Sequence, residues 1–368
     1  MTNNKYTIKN NSWWSNIDKM ILIATLLLLL FGVISMSSIN QHFDGRFYSY
    51  PNLLLKKHLI FCIVGLTIIF SISQFSLKYL IYFSFFILGL SIILCVSTIF
   101  FFPETKGANR WIKFYNFSFQ PSELLKPSFI IISALLLGRY KIKNDYSFLL
   151  NILCLIIISS LLILQPDFGM FVLIFAVWLI QIFSSSINLK IIIPIIMSFF
   201  FVFLVCFFAL DHVKFRIMNF FFSDIGDNYQ ISKSLESFEN GGFLGQGIGK
   251  GTVAKNLPDV HSDFIFALIG EELGGFFAIL IISIYMIIYV RIHMISQKSK
   301  NFFIVTSLTG LANILIFQAI INISSSLNII PTKGMTLPFI SYGGSSFISS
   351  SIIVGFILLL IKEEKNEK

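Results

Sequence analysis

The chain has 368 residues, 56% hydrophobic and 12% charged, with a mean hydropathy of +0.83. That balance excludes an ordinary soluble domain and points to a polytopic, all-α membrane protein. The net charge of +9 is first a topology signal in such a chain. No basic patch with interleaved aromatics points to a nucleic-acid partner. Cys62, Cys95, Cys154 and Cys206 all fall inside apolar runs without CxxC spacing. Packing fits them better than a disulfide framework or a zinc site.

Residues 1–18 form a polar tail, with Lys5, Lys9 and the pair Trp13–Trp14 ahead of Lys19. The tryptophans suit a membrane interface. The first apolar run has no small-residue cleavage site after it and reads as a retained span. Apolar runs predict about ten transmembrane helices, at 19–38, 58–74, 79–102, 122–138, 147–164, 168–184, 190–210, 263–290, 302–323 and 346–362. Gln165-Pro166-Asp167 splits the long 147–184 run into two shorter helices. One transmembrane domain over 19–362 is expected, with a large loop at 211–262 between spans 7 and 8 and a short tail at 363–368.

Basic residues set the orientation. Lys78, Arg139, Lys141, Lys143, Lys190, Arg291, Lys298 and Lys300 fall in the even-numbered connections, and Lys362, Lys365 and Lys368 in the tail. Those segments and both termini are expected in the cytoplasm. The polar, Gly- and Pro-rich stretches all follow odd-numbered spans. They are KGANRWIKF with FQPSELLK, then QPDFG, the 211–262 loop, and PTKGMTLPFISYGGSS. One face, the extracytoplasmic one, is therefore expected to carry the chemistry.

The stretch Leu257–Gly274, LPDVHSDFIFALIGEELG, takes Asp259, His261, Asp263, Glu271 and Glu272 to or into an apolar segment. A helix starting near Asp263 would carry Glu271 about 12 Å deeper. A carboxylate there costs at least ~2.5 kcal/mol, so it needs a partner, a proton or a wet cavity. The plainer reading is that Ser262 or Asp263 caps the helix and Glu271 is paired structurally. In Gln120-Pro121-Ser122-Glu123, Pro121 fits the first helical position and Glu123 the third, as caps. Lys126 lies on the same face as Glu123 and can pair with it. Arg110 beside Trp111 is either an interfacial cation or a phosphate grip.

Tyr229, Ile231, Leu235 and Phe238 form a stripe that suits a helix on the membrane surface. GGFLGQGIGKGT resembles a P-loop only superficially, because Leu244 and Gly251 break the pattern. A flexible loop is the plainer reading there, and a backbone-amide anion site the other. Pro331, Pro338, Gly334, Gly343 and Gly344 mark irregular backbone near membrane depth, which persists where it is buried or lines a cavity. Ser345 could cap the last helix.

These motifs, in order, resemble the SEDS family (shape, elongation, division and sporulation) over nearly the whole chain. The stretches GDNYQISKSLESFENGG, PTKGMTLPFISYGGSS and IGEELG are closer to its division-type than to its elongation-type members. Ser262 and Asp259 stand where Thr and Glu are usual. The resemblance implies a peptidoglycan glycosyltransferase of the bacterial inner membrane, at the division septum, that polymerises lipid II. It implies that Asp263 is the catalytic carboxylate and general base of an inverting displacement of undecaprenyl pyrophosphate. It implies that Glu123 and Lys126 line a central cavity, with Arg110, Asp167, Arg216, His261 and Ser345 nearby. The leaving group's charge would be met by Arg110, by Lys or by a divalent cation, Mg or Mn, although no metal-ligand spacing is visible. The implied partners are a class B penicillin-binding protein and other divisome membrane proteins. Two rivals are a lipid II flippase, since intramembrane charges and broken helices also mark transporters, and a recruiting scaffold. The gathering of polar motifs on one face favours the polymerase.

Overall fold

In a computed structural model of the chain, the described residues are 13–42, 52–104, 108–114, 117–143, 145–185, 187–221 and 229–366. The readings at Lys5, Lys9, Lys106, Gly107 and Lys368 lie outside them. A short α1 (Trp13–Asn16) leads into α2 (Lys19–His42), α3 (Asn52–Ser73) and α4 (Leu77–Phe101). A hairpin of β1 (Ile112–Phe114) and β2 (Phe117–Phe119) follows, antiparallel, with Lys113 opposite Ser118. Then come α5 (Ser122–Lys143), α6 (Ser147–Leu164), α7 (Phe168–Ser184) and α8 (Leu189–Ala209). The large loop holds α9 (Asp211–Phe221) and α10 (Tyr229–Gly241). The chain closes with α11 (Ile265–Glu272), α12 (Gly274–Ser296), α13 (Phe302–Ser326) and α14 (Gly344–Asn366).

Every expected span is helical. Among the described residues eight helices are long and apolar enough to cross a membrane: α2, α3, α4, α6, α8, α12, α13 and α14. The other two expected spans fall short by that measure for different reasons. The α5 helix carries Glu123, Lys126, Arg139, Lys141 and Lys143, and α7 is 17 residues long. One expectation is corrected. The segment 263–290 is not one helix, because α11 ends at Glu272 and α12 starts at Gly274, whose φ is +84°. That backbone is open to glycine and strained for other residues.

Among the long helices α5, α13 and α14 are the most buried. The α14 helix packs mainly on α3, and α13 packs on α12, α7 and α5. By contrast, α8 is mostly exposed and meets α7 through aromatic rings. Phe199 stacks on Phe175 at 3.9 Å between centroids, and Phe203 lies 5.5 Å from Phe168. Inside α5, Pro127 has no N–H, so it leaves the Glu123 carbonyl without its helical donor. The Ser349 hydroxyl of α14 donates to that carbonyl at 2.7 Å, which satisfies a buried acceptor and joins the two helices. None of the four cysteines is paired.

The two ends of the bundle differ. At one end Arg291 pairs with the buried Asp18 at 2.9 Å. Lys362 donates to the carbonyls of Ser73 and Phe75, at 2.9 and 2.8 Å. Lys365 and Asn366 meet Ile17 and Asn16. At the other end the hairpin, the α6–α7 turn, α9 and the 257–264 and 327–343 loops come together.

Candidate functional site

Arg110, just before the hairpin, reaches across to the α6–α7 turn. Its Nε donates to the Gln165 carbonyl at 3.1 Å, and a second nitrogen donates to the Pro166 carbonyl. Those acceptors are among the carbonyls that a helix end leaves without partners. Asp167 follows in the turn and caps α7, accepting from the Met170 amide at 3.3 Å. Its other oxygen accepts from Gln120 at 3.0 Å, and Arg110 lies 3.8 Å away.

Beside this turn is a cavity of about 400 Å³. Its charged residues are Arg110, Asp167, Arg216 and Lys333, and its apolar wall includes Val172, Phe203, Ile217, Phe220 and Ile321. Three of the expected site residues, Arg110, Asp167 and Arg216, therefore share one cavity. Arg216, on α9, is electrostatically in reach of Arg110, Asp167 and Asp263, and burial lowers its pKa. Lys333 is a lining residue that sequence reasoning missed. Its signal was a lone cation between Pro331 and Pro338, in backbone already marked as irregular.

Asp263 acts electrostatically on Arg216, a lining residue, but does not itself line the cavity. It does not head a long helix, since α11 begins two residues later, with Phe264 at the cap position and no side-chain cap. Neither Ser262 nor Asp263 caps that helix. The loop holding Asp263 is fixed by its backbone. Asn322 of α13 donates to the Asp263 carbonyl at 3.0 Å and to the Met335 carbonyl at 2.6 Å. Ser341 donates to the Ser262 carbonyl at 2.6 Å, and the Tyr342 amide to the His261 carbonyl at 2.8 Å. The His261 ring packs edge-on against Tyr342. The Asp263 carboxylate comes within 3.2 Å of where a Cβ on Gly334 would stand. Gly334, with φ +68°, lets the 327–343 loop pass this close.

Glu123 and Lys126 pair at 2.5 Å, and both are buried. They do not line the cavity. Nor does Glu123 reach back to cap α5, because its carboxylate turns to Lys126. Lys126 donates to Gln318 at 2.6 Å, and Gln318 donates to Ser346 at 3.0 Å and to the Thr336 carbonyl at 3.1 Å. The pair therefore braces the loop that carries Lys333 and Gly334. Ser345 lies inside the first turn of α14, not ahead of it. It is buried, and the bonds to Gln318 and Thr336 are made by its neighbour Ser346.

Glu271 is a structural clamp. Its carboxylate is buried and accepts from the amides of Thr252, Val253 and Ala254, at 2.8, 2.9 and 2.7 Å, and from Asn240 at 2.6 Å. The Gly-rich loop does present a nest of backbone amides, and the anion in it is the chain's own carboxylate. The amides of Gln246 and Gly247 donate to the carbonyls of Glu271 and Glu272, so the loop also covers the end of α11. The surface helix expected at 229–238 is α10, which packs mainly on α11.

The cavity's donors do not suit a resident divalent cation. Three cations line it, and its one carboxylate, Asp167, is already engaged. No three His, Cys, Asp or Glu residues gather into a metal site among the described residues. Such cations want several oxygen ligands and little positive charge nearby. Cations beside an apolar wall suit an amphiphile with an anionic head.

The cell cycle protein family of FtsW, RodA and SpoVE matches residues 18–367, and the chain belongs to that family. It is 32% identical to the probable peptidoglycan glycosyltransferase FtsW of Coxiella burnetii, over 97% of this chain and 99% of that protein. It is 34% identical to the protein of the same name from Buchnera aphidicola, over 96% and 91%. Among solved structures, a chain of a peptidoglycan synthase complex described as coordinating polymerization and crosslinking shares the fold. It has a TM-score of 0.77 at 20% identity, over 95% of this chain and 98% of that one. Thermus thermophilus RodA gives a TM-score of 0.69 at 22% identity, over the same shares.

Proposed function

We propose that the chain is a peptidoglycan glycosyltransferase that polymerises lipid II in the bacterial inner membrane, during septal wall synthesis. Relatives named for that activity match nearly end to end, and those at 32% and 34% identity carry the FtsW name. The carrying observation is that Asp263 abuts Gly334, next in sequence to Lys333 of the cationic cavity. The loop that lends Lys333 to the pocket thus meets the Asp263 carboxylate at its next residue.

That placement supports the following reaction. The 4-hydroxyl of one lipid-linked disaccharide attacks the anomeric carbon of another. Asp263 accepts the hydroxyl proton as the new C–O bond forms. The bond to pyrophosphate breaks, and its electron pair leaves on a pyrophosphate oxygen facing Arg110 and Arg216. The anomeric centre inverts. Pyrophosphate leaves without a strong acid, so one carboxylate suffices. The site end of the bundle lies on the extracytoplasmic side, where both substrates present their sugars. The partner is a class B penicillin-binding protein that crosslinks the product, within a wider set of divisome membrane proteins. A neighbour of the same fold belongs to a complex whose description joins those two steps.

The test is purified protein with labelled lipid II. Wild type is expected to make glycan polymer, and Asp263→Asn to make it slower by at least ~10²-fold while folding and binding lipid normally. Polymerisation by Asp263→Asn at the wild-type rate would remove Asp263 as base. Lipid scrambling in vesicles without polymer would support transport instead.

A further inference from the structure

Among the charged residues of the cavity, Asp167 and Arg110 are already engaged, whereas Lys333 and Arg216 form no ion pair among the described residues. Asp167 is held by Gln120 and the Met170 amide, and Arg110 is held by two carbonyls of the α6–α7 turn. Among the described residues, the Lys333 ammonium meets the Gly169 carbonyl and, at 3.6 Å, the Met335 sulfur, and forms no ion pair. A deeply placed ammonium with a neutral carbonyl for company is poorly compensated. Burial pulls its pKa from 10.5 to about 7. Asp167 opposes that shift, and Lys126, Arg216 and Arg110 add to it. The remaining exposure of Lys333 is to the cavity it lines. A dianionic head entering the cavity would supply the missing counter-charge, and the ammonium need only swing off the Gly169 carbonyl to meet it. The fixed guanidinium of Arg110 positions such a group, whereas the flexible lysine stem can follow it.

We infer that Lys333 is a substrate-binding residue that grips the pyrophosphate of the lipid carrier, releasing the Gly169 carbonyl as it does so. The inference rests on the glycosyltransferase reading for the identity of the lipid, and it adds a residue and a motion to that site. Charge and place assign the cavity to the leaving group. Lys333 joins two arginines there, and the next residue of its loop touches the Asp263 carboxylate. The carrier's apolar chain would run along the wall formed by Phe203, Ile217 and Ile321.

The test is direct binding of polyprenyl pyrophosphate, polyprenyl monophosphate and polyprenol to the full-length protein in detergent, for wild type, Lys333→Gln and Lys333→Arg. Lys333→Gln is expected to weaken pyrophosphate binding by roughly 10- to 100-fold, the scale of a charge-assisted bond. It should leave polyprenol binding unchanged, and Lys333→Arg should stay within about 3-fold of wild type. The wild-type affinity should also fall as pH rises past about 7, because a neutral Lys333 must regain a proton to bind. The Arg variant should keep only the ligand's own titration. The charged groups that act on Lys333 are Asp167, Lys126, Arg216 and Arg110. Unchanged pyrophosphate binding in Lys333→Gln would overturn the inference, as would an equal loss for polyprenol. If wild type binds the lipid but makes no polymer, the proposed reaction fails, and the binding comparison still decides the role of Lys333.

Discussion

Side chains that share one buried bond network are the smallest units on which this site rests. Lys126 is 1% exposed, and its ammonium is held between Glu123 and Gln318. Lys126→Met leaves the Glu123 carboxylate without its cation, and Glu123→Leu leaves the ammonium with a neutral amide. Each single change is expected to destabilise by ~3–5 kcal/mol. The double neutral variant removes both charges and should cost less than the worse single. Thermal unfolding of the purified proteins checks this, and a strictly additive loss would deny the pairing. The same residues link to the active loop through Thr336, so the single variants should also slow polymerisation.

At the scale of elements, the decisive feature is the clamp that Glu271 of α11 places on residues 252–254. Glu271→Gln puts an NH₂ group where one of the amide acceptors stood. Amide exchange at Thr252, Val253 and Ala254 should then speed up by about 10-fold or more, while exchange in α13 stays as in wild type. Protection unchanged at all three amides would refute the clamp. The sequence made the helices legible, because long apolar runs with polar breaks leave little else to build. It also brought Arg110, Asp167 and Arg216 to one face through motif order. The break after Glu272 was not legible, because α11 and α12 are both apolar and glycine is common in membrane helices. The clamp was hidden for another reason. The amide site and a partner for Glu271 were each open readings, but only the fold joins residues 252–254 to Glu271. Lys333 was missed because its neighbour Gly169 is 164 residues away in sequence, a distance that only the fold closes.

For the whole molecule, the asymmetry of the two ends makes a prediction about sidedness. Leu244 is 84% exposed at the site end, and Asn366 lies at the ion-paired end. Single cysteines at these positions in a cysteine-free background should differ in intact cells. An impermeant thiol reagent should label position 244 and spare position 366. The reverse pattern would invert the topology and put the proposed base on the wrong side of the membrane for the proposed substrate.

Fastening the bundle at one end also has a mechanical consequence. The α12 helix has 23 residues, so it is about 34 Å long. It runs from the Arg291–Asp18 pair towards the active loop, and α14 runs likewise from Lys362 to Gly344. Each is a lever with its fulcrum at these contacts. From Arg291 to Gly274 the arm is about 26 Å, so a tilt of about 2° at the fulcrum carries the tip by about 0.9 Å. That is more than a quarter of the 3.2 Å by which the Asp263 carboxylate clears the Cβ position of Gly334. A partner that leaned on the fastened end would thus retune the spacing between base and pyrophosphate pocket from the far side of the membrane, without touching either.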